Sequence, residues 1–291
     1  MTAPAPMARA EVATPPTPSF DATDRSRAPS VIGTVLRHEA RTLLQNRGAL
    51  VFGLSILLVT ESVLRLTGSA PRALSTMLNL VLLVVPLVTV MFVVISWHAS
   101  REFNELLLAQ PVRRRALFAA LYLGLIGPLA TVFTVGLLLP FVVHRAITAD
   151  AVPLLLTTVG GGIALTFVFG GIALLIGALV DDRLRGVALA LAVWLLLTVA
   201  YDGLVLLVAT TYSDYALARP MLALTKLNPV DLTRAMIVLH SDTAALMGYT
   251  GAVMHRFLGN GLGTTTALLG LLLWIVFPAW AAPRAFERRD F

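Results

Sequence analysis

A chain of 291 residues that is 57% hydrophobic and 13% charged, with a mean hydropathy of +0.84, is too apolar for a water-soluble fold and long enough to cross a bilayer several times. The absence of cysteine excludes a disulfide framework, a thiolate metal site and a thiol nucleophile. A net charge of +6 would suggest nucleic acid in a soluble protein, but these basic residues cluster beside apolar runs, where they meet lipid head groups, so a nucleic-acid partner is discounted.

Residues 1–29 are rich in Ala, Pro, Thr and Ser and too poor in large apolar side chains to support a core, which predicts a disordered tail without a cleaved leader. From 30 to 47 the pattern places Val31, Val35, Leu43 and Leu44 toward one side and Arg37, Arg41 and Arg47 elsewhere, as in a helix lying along a membrane surface. Six apolar runs follow, at roughly 49–66, 77–97, 116–143, 153–180, 187–209 and 263–283, each long enough to span. The expected fold is an all-α polytopic membrane protein. An even number of spans puts both termini on one side. Most of the 22 basic residues lie in the N-terminal segment, the 98–115 loop, the turn at 181–185 and the C-terminal tail, which assigns that side to the cytoplasm.

Within the 98–115 loop, Leu106 to Leu108 follow Glu102 and Glu105, so a short amphipathic helix can run from about Arg101 to Gln110 and stop before Pro111. With Arg113, Arg114 and Arg115 behind it, the loop reads either as a docking element or as a solvated connector whose arginines set topology. In the fourth span Gly162, Thr166, Gly170, Ala173 and Gly177 share one helix face, a surface on which another helix can pack closely, within the bundle or from a second copy.

The 210–262 connection is neither a bare loop nor a span. Asn228 before Pro229 marks a helix start, and Leu232, Ala235, Met236 and Leu239 recur at helical spacing, with further short helices expected before the last span. Such a segment predicts a small helical cap on the outer face, resting on the membrane or on a partner. Met236, Met247 and Met254 with His240 and His255 carry the soft thioether and imidazole donors that suit Cu(I), although methionine at apolar helix positions more often fills gaps. Glu61 and Asp202 are ionisable groups near or within the bilayer and mark either a pathway, a buried pair or hydrated carboxylates at span ends. No nucleotide-binding P-loop is possible around the single lysine, Lys226, which follows Thr225 rather than glycine.

An interfacial helix, six spans, a charged inner loop after the second span and a larger outer segment before the sixth together resemble the permease subunits of ABC-2-type transporters. On the inner loop the resemblance is carried by Leu106–Leu108, Pro111, Val112 and Arg113–Arg115, with Glu102 or Glu105 standing for the family's acidic residue, while Asn104–Glu105 stand where Gly-Thr is common and Leu121 where a lysine is usual. It implies that Glu102, Glu105, Leu107, Leu108, Pro111, Arg113, Arg114 and Arg115 couple to a cytoplasmic ATPase that holds the ATP and Mg²⁺.

The outer stretch, through Leu227, Asn228, Pro229, Asp231, Arg234, Ala245, Leu246, Met247 and Gly248, is similar to the NosY-type permeases of nitrous oxide reductase maturation. That likeness implies a pair of permeases working with a pair of ATPases in the bacterial inner membrane. It also implies a periplasmic β-helical protein docking at Asn228, Pro229, Asp231, Arg234, Met247 and Gly248, and a transient role for copper. The alternatives are an ABC-2 exporter for a lipid, glycan or drug, and a membrane-embedded enzyme with Glu61 and Asp202 as acid and base.

Overall fold

The computed structural model describes residues 47–100, 114–211, 218–239 and 261–287. The expected tail, the interfacial helix before Arg47 and the inner-loop residues Glu102, Glu105, Leu107, Leu108, Pro111 and Arg113 lie outside the described residues, as do His240, Met247, Gly248, Met254 and His255. Every described element is helical: α1 (Arg47–Thr67), α2 (Ala70–Ala99), α3 (Arg114–Val143), α4 (Val152–Leu179), α5 (Arg183–Leu195), α6 (Tyr201–Thr211), α7 (Ala218–Leu227), α8 (Pro229–Leu239) and α9 (Gly261–Glu287). A π-helical turn at Leu196–Ala200 joins α5 to α6, so they form one continuous fifth span. Six helices have the length and apolar character to cross a membrane, and the chain is an all-α polytopic membrane protein.

The second span begins seven residues earlier than its apolar run suggests, because Pro71 in the first turn fixes a helical φ although the sequence from Arg72 to Thr76 is polar on one side. Between α1 and α2 only Gly68 and Ser69 intervene; Gly68 takes φ +64° and its N–H donates to the Leu64 carbonyl at 3.1 Å, closing α1 with a left-handed cap. This turn and the 144–151 connection share one end of the bundle, the far end. The opposite, basic end holds Arg47, Arg114, the turn at 180–182 and Arg284.

At that basic end the expected turn at 181–185 is shorter than its sequence implies, because Asp182 serves as the N-cap of α5 and accepts from the Arg185 N–H at 2.9 Å. This bond holds the Asp182 carboxyl below the usual carboxylate range. The His98 ring lies within 3.1 Å of the Val180 carbonyl and so ties the end of α2 to the end of α4.

The axis of the bundle is α4. It is apolar on every side, and 72% of its most apolar stretch is buried, against 6% for the fifth span on the periphery. Its small-residue face packs inside the bundle: a Cβ on Gly162 would overlap the Phe133 ring of α3, one on Gly170 would stand 2.5 Å from Ile126, and one on Gly177 2.5 Å from Trp97 of α2. Thr166 and Ala173, on the same face, are fully buried. A second close crossing, between α1 and α3, rests on Gly53 against Val132 and Gly136 against the Gly53 carbonyl, each 2.7 Å from an added Cβ.

Candidate functional site

After the fifth span the chain turns back. The sequence from Ala218 to Leu239 folds as a helical hairpin, α7 and α8, whose turn at Asn228 lies level with Leu197. Leu197 stands 14 residues after Arg183, about 21 Å along the span at 1.5 Å per residue. The hairpin therefore enters from the far end and reaches into an apolar layer about 30 Å thick.

Backbone that leaves a helix at such depth has to be satisfied by protein. Asn228 does this: fully buried, it accepts from the Val230 N–H through Oδ1 at 2.8 Å and donates through Nδ2 to the Leu197 carbonyl at 2.6 Å. That carbonyl belongs to the π turn, where the wider helical winding leaves room for an outside donor. Pro229 then supplies the first helical position of α8, and Thr233 Oγ1 donates back to the Pro229 carbonyl at 2.9 Å.

A notch receives α8. A Cβ on Gly161 of α4 would stand 2.5 Å from Thr233, and one on Gly270 of α9 2.9 Å from Leu232, so both backbones approach α8 at positions only glycine permits. Leu232 and Ala235 are buried with Ala267 and Leu271 of α9, and Met236, Leu239 and Trp274 pack around them. Leu232, Ala235, Met236 and Leu239, the apolar positions of α8, thus meet α4 and α9 within the bundle. Asn228, Pro229 and Asp231 are buried in the single chain.

A second tie fastens the hairpin to the fifth span. Arg234 of α8 donates both guanidinium nitrogens to Asp202 of α6, each at 2.8 Å, and Nη1 also reaches Asp231 Oδ1 at 3.0 Å. The residue preceding Asp202 adds another bond: the Tyr201 hydroxyl donates to the Leu224 carbonyl of α7 at 2.7 Å. Asp231, its side chain 10% exposed, shares this guanidinium with Asp202, so two carboxyl groups meet one cation. Asp202 is therefore half of an ion pair and not an isolated hydrated carboxylate. Sequence reasoning reached the partner's region only through Asn228, Pro229, Asp231 and Arg234; the signal for the pairing was one charge in a span and an Asp–Arg couple spaced by three on a short apolar helix.

Glu61 belongs to a separate cluster at the far end, 2.6 Å from Arg65 of its own helix and 2.8 Å from His144 after α3. The two carboxylates thus answer to different partners, which removes the acid–base pair an embedded enzyme would need. Among the described residues no group of three His, Cys, Asp or Glu could hold a metal ion, and Met236 packs against the cluster of Leu232, Ala235, Ala267 and Leu271.

Replacing Asn228 with alanine removes the donor to Leu197 and leaves the Val230 N–H unpaired at depth. The expected loss is about 1–3 kcal/mol, read as a lower thermal unfolding midpoint of the purified chain in detergent.

Six spans with a polar-stitched hairpin before the last define an integral membrane protein. Residues 104–291 match the family model described as ABC-2 family transporter protein, and the chain belongs to that family. It is a transmembrane permease component, not itself catalytic, of a family that generally works with a cytoplasmic ABC ATPase. None of the curated proteins matches it.

Proposed function

We propose that the chain pairs with a second copy in the bacterial inner membrane and couples ATP hydrolysis in a cytoplasmic ATPase to rearrangement of the far face, in the service of copper-site maturation of nitrous oxide reductase. The observation that carries the coupling is the hairpin itself. It is seated by glycine notches on α4 and α9 and bonded to the fifth span at Leu197, Tyr201 and Asp202, so a displacement of the spans at the basic end is passed to the outer surface through one rigid inset.

The basic end is the cytoplasmic one by the excess of arginine there. Glu102, Glu105, Leu107, Leu108, Pro111 and Arg113–Arg115 form the coupling element. The second copy covers the fifth span, which is nearly bare in the single chain. Copper is the cargo chemistry suggested by the likeness of residues 227–248 to the maturation permeases. In that reading Met236, His240, Met247, Met254 and His255 are the donors to a transient Cu(I), and a periplasmic partner docks on the outer segment at Met247 and Gly248.

The test is co-expression of the tagged chain with its ATPase in a strain carrying the reductase. Wild type retains the ATPase on purification and yields copper-loaded reductase. The double substitution Leu107→Asp, Leu108→Asp inserts normally, loses the ATPase and leaves the reductase without copper. Full retention of the ATPase by that variant refutes the coupling element, and a fully loaded reductase in cells lacking the chain refutes the copper reading while leaving the permease intact.

A further inference from the structure

We propose that the Asp202–Asp231–Arg234 cluster is a proton-binding site, holding one exchangeable proton between its two carboxyl groups, so that the hairpin's attachment to the fifth span depends on the pH at the far end. The inference stands apart from the identity of the cargo. Its basis is a charge count. Two carboxylates meet one guanidinium, and with both ionised the cluster carries a net negative charge some 19 residues, about 28 Å, along the span from Arg183, at the boundary of the apolar layer.

Nothing described around it supplies the missing positive charge. The helix α4 contains no ionisable residue, and those of α9, Arg284 and Glu287, lie at the basic end. In α2 only Arg72 and His98 are ionisable, one in each terminal turn, and in α7 the described cation, Lys226, makes no bond to either carboxylate. The Tyr201 hydroxyl is committed to Leu224. A net charge held in such a place is expensive, and the simplest neutral state adds a proton.

Geometry says where it goes. Asp202 takes the guanidinium through both oxygens, and its side chain is 41% exposed; Asp231 has a single bond to Arg234, and its side chain is 10% exposed. Protonated Asp231 donates its O–H to the adjacent Asp202 carboxylate, which keeps its two bonds to Arg234, and the sum of charges is zero. The proton comes from water on the exposed side of Asp202 and returns there. When the hairpin leaves the fifth span, Asp231 is hydrated, becomes an ordinary aspartic acid and releases its proton.

A carboxyl whose value is raised in the folded state contributes stability that is complete below its unfolded value, about 3.9, and is lost as the pH rises through the folded value. The hairpin is accordingly held most firmly under acid conditions. Infrared difference spectra of the full chain in lipid nanodiscs, recorded from about pH 4 to pH 8, read the proton directly. Wild type and the control Glu61→Gln show a protonated-carboxyl band that disappears in a single one-proton transition. Asp231→Asn and Asp202→Asn, each of which removes the excess charge, abolish that band. Thermal unfolding over the same range reads the attachment: the wild-type unfolding equilibrium shifts by up to about tenfold per pH unit relative to Asp231→Asn, the one-proton limit. A wild type without the titrating band, a band that survives either Asn variant, or identical pH dependence in wild type and Asp231→Asn overturns the site.

Discussion

Leucine at Gly160, Gly161 and Gly162 is expected to give three different proteins from three consecutive positions. A Cβ on Gly160 meets nothing within 4 Å, so Gly160→Leu changes stability by no more than about 0.5 kcal/mol, apart from the gain in helix propensity. At Gly161 the added side chain enters the space of Thr233 and forces α8 out of its notch, while the six spans still assemble. At Gly162 it drives into Phe133, itself fully buried and unable to swing aside, and the packing of α3 on α4 fails at a cost of at least about 3 kcal/mol. Detergent-resistant yield by size exclusion separates the last from the first two. Proteolysis within the hairpin separates Gly161→Leu from Gly160→Leu, and equal resistance of these two would show that α8 does not need the notch.

That triplet also shows what was legible in the sequence. Small residues at spacings of three and four identified the Gly162–Gly177 face as a packing surface, because close helix approach in lipid demands missing side chains along one stripe. The same rule passes over Gly161, one position off the stripe, since nothing local says that a second helix comes from that side. It equally passes over Gly53 and Gly136, lone glycines whose meaning comes from each other. Single-residue spacing reports one helix face; a notch built from two or three chains is a property of their assembly.

The hairpin makes the point for polar groups. Asn228 and Pro229 announce where α8 starts, and Leu232, Ala235, Met236 and Leu239 announce which face is apolar, because capping and periodicity are local. What that face covers is not local. The short amphipathic helix α8 packs its apolar side on α4 and α9, and polar bonds fasten it there: the π turn offers the Leu197 carbonyl to Asn228, and Asp202 meets Arg234 across 32 residues of sequence. An isolated Asp in a span and an isolated Arg on a short helix each look like surface charges until they are seen to neutralise one another.

Arg234 is the residue whose loss is expected to cost most at this site. Replacing it with leucine leaves Asp202 and Asp231 facing each other without a cation, so the variant suffers both the loss of three hydrogen bonds and the repulsion of two carboxyl groups. Breaking a fully buried pair costs about 3–5 kcal/mol, and the partial exposure of Asp202 brings the expectation to about 2–3 kcal/mol at neutral pH. The charge count predicts how to undo it. Adding Asp231→Asn to Arg234→Leu relieves part of the penalty, and adding Asp202→Asn as well removes the remaining carboxylate, leaving only the lost bonds and returning most of the stability. Lowering the pH to about 4 rescues the single variant in the same direction, because both carboxyls then accept protons, and has little effect on the triple variant. Thermal unfolding of the four proteins at the two pH values measures each step. If Arg234→Leu is no less stable than the wild type at neutral pH, the guanidinium is not what holds the hairpin to the fifth span, and the hold belongs to Asn228 and the glycine notches alone.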